Sequence, residues 1–420
     1  MKKNFLIALL AILLAVPSFV FANGQAEGSS DKEVEIRFST IWVGADTKAA
    51  PIKELVDEFN ADNAGKIKVI IEENPDADAY RSKINTMLGS GSAPDVFSFN
   101  PDQTSFMFYN SDVLMDFSDE LKGDWKNSFV EGSIETATIN GQTKSLPYEM
   151  GYTPIWYNMD IFKKAGVTEI PKTFDEFWDA CDKIKAAGYV PTSQMTGGTN
   201  AWTSMLWYCH ILNALGGPNV WEKDFATDPV FVEAAAILNR MYQDGNTTVD
   251  AIGGDAGVAG GHYLAGNTAM FINGPWYIGR VQSEAPEVFA ATEIGPGPGS
   301  EYSNGQVGFP QSNLVAANTK DATKKAAVIK FLKWLTTPEN AARVSQASGA
   351  MLAVKTPGVT GNRLQTQFNE QVNNASFIQT HFQFNFATDV MAEFGQALAK
   401  MASGNATPEE FVAQIAAKIR

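Results

Sequence analysis

Three apolar runs separated by two helical stretches, all within the first hundred residues, constrain this chain more than any other feature. Residues 35–42 alternate as a strand, and residues 49–60 place Ile52, Leu55, Val56 and Phe59 on one helical face. A second strand follows at 67–72 and a second helix at 80–88. Gly89, Gly91 and Pro94 then lead into a third strand at 95–99. This βαβαβ order predicts a parallel sheet covered by helices, with ligands held beyond the carboxyl ends of its strands. Trp42 and the loop carrying Asp102 and Gln103 stand at two such ends.

Residues 266–276 carry the strongest local sign of a site. Ala269, Met270, Phe271 and Ile272 read as a buried strand that stops at Gly274-Pro275 and leaves Trp276 at its end. Pro275 cannot continue a sheet ladder, and Gly274 allows a close approach to the backbone. Trp276 is therefore expected to point out of the sheet, toward a ligand. The competing reading is a core tryptophan after a turn.

The amino terminus has Lys2 and Lys3, an apolar run over residues 5–16, and small residues Val20 and Ala22. This predicts a secretory leader over residues 1–22, cleaved after about Ala22. That run is too short to span a bilayer. The two cysteines, Cys181 and Cys209, are both far from the cleavage position, which leaves none for a lipid anchor and points to a periplasmic product. One disulfide in a chain of this length is optional, and both residues lie in stretches that read as helices, where buried free thiols are common. The 47 acidic residues against 32 basic give a net charge of −15, and loss of Lys2 and Lys3 with the leader makes the protein more acidic still. Such a surface repels nucleic acid and anionic lipid. With three histidines and no paired-cysteine motif, neither a metal site nor a cofactor is expected.

A second unit begins near Leu146. Thr173 and Glu176 have capping-box spacing before a helix that Gly188 ends. Residues 201–215 form an aromatic helix, Asp228-Pro229 opens another, residues 322–336 are amphipathic, and Thr337-Pro338 opens one more. The Gly-Pro run at 295–299 lacks the lysine and hydroxyl ending of a phosphate loop.

Five blocks together resemble the substrate-binding proteins of bacterial ABC sugar importers, the group that includes the maltose-binding protein. They are Leu146-Pro147-Tyr148-Glu149 with Ile155-Trp156-Tyr157-Asn158; residues 161–166 with 171–177; Ala93-Pro94-Asp95-Val96; residues 266–276; and Asn318-Thr319-Lys320 with the helix after it. Their order runs through residues 34–420. The resemblance implies a periplasmic-binding-protein-like α/β fold, two lobes joined by three hinge crossings with the ligand cleft between them. Crossings near Tyr148, Ser300 and Thr336 would assign residues 23–148 and 300–336 to the first lobe, and 149–299 and 337–420 to the second. It also implies a monomer that hands a carbohydrate to permease subunits in the inner membrane.

Carried over by position, the resemblance nominates Trp42, Asp46, Phe99 and Asp102 in the first lobe. In the second it nominates Glu149, Trp202, Trp207, Gly274 and Trp276, with Gln311 near the hinge. Gln103 replaces an arginine that some members carry, which argues against a maltose-like ligand. The chemistry is coherent: an indole stacks on the C–H face of a pyranose while carboxylates and amides bond its hydroxyl rim. For each acid the competing reading is a solvated surface charge. A polyamine would also suit carboxylates and aromatics, whereas a glycerol phosphate would require a cleft cation that this set lacks. A secreted glycosidase would need two carboxylates at catalytic spacing, and the sequence pairs none recognisably.

Overall fold

The computed structural model describes residues 33–99, 106–198, 201–299 and 304–419. The first sheet has Val34–Thr40 at its centre, paired in parallel with Ile67–Glu73 on one side and Val96–Phe99 on the other, with Asn313–Ala316 antiparallel at the far edge. Helices Ala49–Asp62 and Ala77–Gly89 make the two crossovers, at the places the periodicity predicts. Phe38, Leu55, Phe59, Phe331 and Leu335 fill the core beneath this sheet.

The second sheet orders Thr292–Gly295, Ile155–Asn158, Thr268–Ile272 and Val190–Thr192. Every residue of Thr268–Ile272 is buried, as expected of a continuous apolar strand. Helices Trp202–Gly216, Pro229–Gln243, Thr388–Ala402 and Pro408–Ala416 pack together on this side. Thr173 and Glu176 form the anticipated capping box at the head of Phe174–Ala186. Cys181 and Cys209 are buried and unbridged.

A third, three-stranded sheet links the other two. Its strands are Glu149–Tyr152, Gly305–Gln311 and Phe377–Thr380. The first runs almost directly into Ile155–Asn158 of the second sheet, and the middle one runs through Ser312 into Asn313–Ala316 of the first. Ser300, where one crossing is expected, lies outside the described residues.

The third passage is not at Thr336. Thr336 is fully buried in the first core and accepts the Trp125 indole N–H at 2.8 Å. Helix Pro338–Ser348 then folds back beside helix Ala49–Asp62, burying Ala341 and Val344 in the same core, and Leu352 and Val354 follow. Leu364 and Phe368 are the first residues beyond that point to pack with the second sheet, around Trp156 and Phe271. The chain thus packs in the first core as far as Val354 and around the second sheet from Leu364.

Candidate functional site

The loop after the first strand carries Asp46, Thr47 and Lys48. Asp46 Oδ1 accepts the backbone N–H of Lys48 at 2.8 Å, a local turn that brings the two side chains together just before helix Ala49–Asp62. The Lys48 ammonium then lies 3.0 Å from Asp46 Oδ1 and 3.0 Å from Glu149 Oε1. Lys48 is 2% exposed and Glu149 3%, whereas Asp46 keeps 27% of its side chain open. A buried charge must be paired to survive. Burial works against the Lys48 ammonium, but Glu149 and Asp46 outweigh it and hold its pKa above the ordinary lysine value. Burial, opposed by Lys48, lifts the Glu149 carboxyl above the usual carboxylate range, and the Ser312 side chain also bonds it. Ser312 itself sits at φ +47°, a left-handed backbone that non-glycine residues rarely adopt.

Two indoles come together beyond the end of a strand of the second sheet. Strand Thr268–Ile272 ends at Asn273, whose carbonyl accepts the Trp156 N–H at 2.9 Å, and a single turn of 3₁₀ helix, Pro275–Tyr277, follows. In that turn the Trp276 ring folds back over Gly274, so closely that a Cβ there would fall 2.0 Å from ring carbons. Gly274 thus serves a close approach by the Trp276 indole. Trp202, the first residue of helix Trp202–Gly216, brings its ring to 5.8 Å from that of Trp276 with a 36° tilt. Both indoles are half-buried. The Thr47 hydroxyl donates to the Trp276 carbonyl at 3.5 Å, which connects the charged loop to the aromatic pair.

His381 lies 6.1 Å from the Trp202 ring. Burial, aided by the charges of Arg81 and His210, lowers its pKa to about 3, so it is neutral. Arg81, on helix Ala77–Gly89, reaches across to within 3.9 Å of the Met391 sulfur on helix Thr388–Ala402. Lys48, Arg81, His381 and Ser312 were not nominated from sequence. The Asp46-x-Lys48 spacing directly before a helix was the one available signal.

The other nominated residues fall elsewhere. Trp42 is 1% exposed and packs on Tyr148, ring centres 5.0 Å apart, in the first core. Phe99 is 3% exposed and meets Phe97 edge-on in an apolar cluster with Tyr80 and Ile84. Trp207 is 1% exposed against Phe177. These three rings are core residues, each no more than 3% exposed. Gln311 pairs through its backbone with Glu149, and its side chain lies outside the described residues, as do Asp102 and Gln103.

The chain belongs to the bacterial extracellular solute-binding proteins, whose family model matches residues 45–342. It is thus a two-lobed α/β binding protein. Among its relatives is a binding protein of Brucella abortus (strain 2308), 25% identical over 312 residues that cover 73% of this chain and 74% of that one. The arabinooligosaccharide-binding protein of Bacillus subtilis (strain 168) is 26% identical over 298 residues, covering 68% of this chain and 66% of its own. Among solved structures, a chitin oligosaccharide binding protein shares the fold with a TM-score of 0.84 at 20% identity, covering 92% of this chain and 98% of the other. No described helix is long and apolar enough to cross a membrane.

Proposed function

We propose that this protein is the carbohydrate-capturing component of an ABC importer, holding an oligosaccharide between its two lobes and delivering it to permease subunits from the periplasm. The observation that carries this reading is the pair Trp202 and Trp276, half-buried and 5.8 Å apart, tied through the Thr47 hydroxyl to the loop that bears Asp46 and Lys48. Aromatic faces suit the C–H surface of sugar rings, and a compact set of charged donors and acceptors suits their hydroxyl rims. Relatives named for arabinooligosaccharide and maltotriose support the ligand class.

The cluster also weighs against the alternatives. A polyamine would need carboxylates free to accept ammonium groups, and here both are already bonded to Lys48. A phosphate would need a free cation, and Lys48 is engaged by two acids. A glycosidase would need a carboxyl that reaches the glycosidic oxygen, and Glu149 is buried. We assign residues 33–148 and 313–354 to one lobe and 155–299 and 364–419 to the other, with the three-stranded sheet as the hinge. A thermal-shift screen over neutral oligosaccharides, polyamines and glycerol phosphate tests the ligand class, because a ligand that binds only the folded state raises apparent stability. The expected result is a shift with one or more neutral oligosaccharides alone. A shift with spermidine or glycerol phosphate and none with any sugar would overturn the reading.

A further inference from the structure

Two helices, one from each core, touch through their backbones. Helix Ile278–Glu284 follows the Trp276 turn, and its Ile278 is buried with Trp156 and Phe271. Helix Pro338–Ser348 belongs to the first core, which takes Val344 before its end and Ala350 after it. Gly279 lies so close to the end of that helix that a Cβ on it would collide with the Ser348 carbonyl oxygen, and a Cβ on Gly349 would fall 3.1 Å from the Gly279 nitrogen.

Three further contacts close the same seam. The Thr47 hydroxyl bonds the Trp276 carbonyl, and the Thr47 methyl lies 3.4 Å from where a side chain on Gly279 would begin. Gln365, next to Leu364, donates from Nε2 to the Gly349 carbonyl at 2.8 Å. Met351, between Ala350 and Leu352 of the first core, packs on the cluster around Trp156 and Phe271 instead. Single hydrogen bonds are worth little net, and a methionine side chain re-packs easily, so this seam can part without unfolding either core.

We propose that the seam is a latch, whose strength helps set how tightly carbohydrate is held. The proposal rests on the closing cleft proposed above: the apparent affinity of a ligand that binds only the closed form falls with the fraction of protein that is open. Gly279 is then a positioning residue, acting on the approach of the lobes rather than on carbohydrate. The test needs no ligand, so an error in the carbohydrate reading leaves it intact. Spin labels at Ser283→Cys and Gln346→Cys, exposed positions on the two helices, report the seam, and the native Cys181 and Cys209 are buried. Gly279→Ala should move the label distances outward while the thermal unfolding midpoint stays at or above that of the labelled parent, because alanine favours a helix over glycine and a parted seam avoids the clash. Thr47→Val, which removes the hydroxyl and keeps the bulk, should move them outward to a smaller extent. Gly261→Ala, in helix Ala256–Leu264 where an added Cβ meets nothing within 4 Å, should leave them unchanged. Parental distances in Gly279→Ala, with or without the lowered midpoint of an overpacked core, would overturn the proposal. A Gly279→Ala protein that fails to fold, or an equal outward shift in Gly261→Ala, would overturn it as well.

Discussion

Lys48 is the residue on which the charged cluster depends. Lys48→Met would leave Glu149 buried with no cation beside it, and losing one partner of a buried pair costs about 3–5 kcal/mol. Urea denaturation should show that loss, and the double change Lys48→Met with Glu149→Gln should recover part of it, since no orphaned charge remains. A cost below about 1 kcal/mol for Lys48→Met would place the pair in solvent instead. His210 gives a pH signature. Burial lowers its pKa from the ordinary 6.5 to about 4, with its ring bonded to the Thr153 carbonyl at 2.7 Å. The unfolded chain takes up a proton that the folded one refuses, so stability should fall as pH drops from about 6.5 towards 4. His381, lowered by burial and neighbouring charges to about 3, adds in the same direction. His210→Gln should therefore make the pH dependence shallower without removing it. An unchanged slope would mean that His210 is not held neutral.

At the scale of single elements, the strand-to-turn segment Thr268–Ile272 and Pro275–Tyr277 was legible because three local rules agree there: an apolar run, a proline that ends it, and an aromatic left at the end. What the segment's glycine does was not legible, since spacing cannot tell whether ligand or protein approaches it. Gly274→Ala should push the Trp276 ring out of place, weakening carbohydrate binding while leaving the unfolding transition cooperative. Wild-type affinity in that variant would mean the ring's position is immaterial. Helix Trp202–Gly216 was the harder case. Its residues from Thr203 to Ala214 are all buried, so no helical period marks a wet side, and Trp202 and Trp207 look equivalent in sequence. Only the helix start, where Trp202 sits, meets Trp276. Lys48 was overlooked for the opposite reason: lysine is almost always solvated, and only the third dimension supplies the second carboxylate from a strand about a hundred residues away.

For the whole molecule, the βαβαβ opening fixed the first sheet, and the family resemblance supplied the two-lobe plan. Thr336 invited a crossing because helices Ala322–Leu335 and Pro338–Ser348 are separated by two residues, and a short break in sequence reads equally well as a hinge or as a tight helical turn within one core. With the small sheet as the hinge we propose between the two cores, small-angle scattering should report a more compact particle with ligand than without. Identical profiles would contradict closure. The central claim, that a carbohydrate stacks on the Trp202 and Trp276 pair, is tested most directly by calorimetric titration of the most stabilising oligosaccharide into wild type and Trp276→Ala. The account predicts saturable binding to wild type and loss of most of that affinity in a variant that still unfolds cooperatively. Wild-type affinity in Trp276→Ala, particularly with a stability loss of about 3–5 kcal/mol typical of a deleted core aromatic, would contradict it.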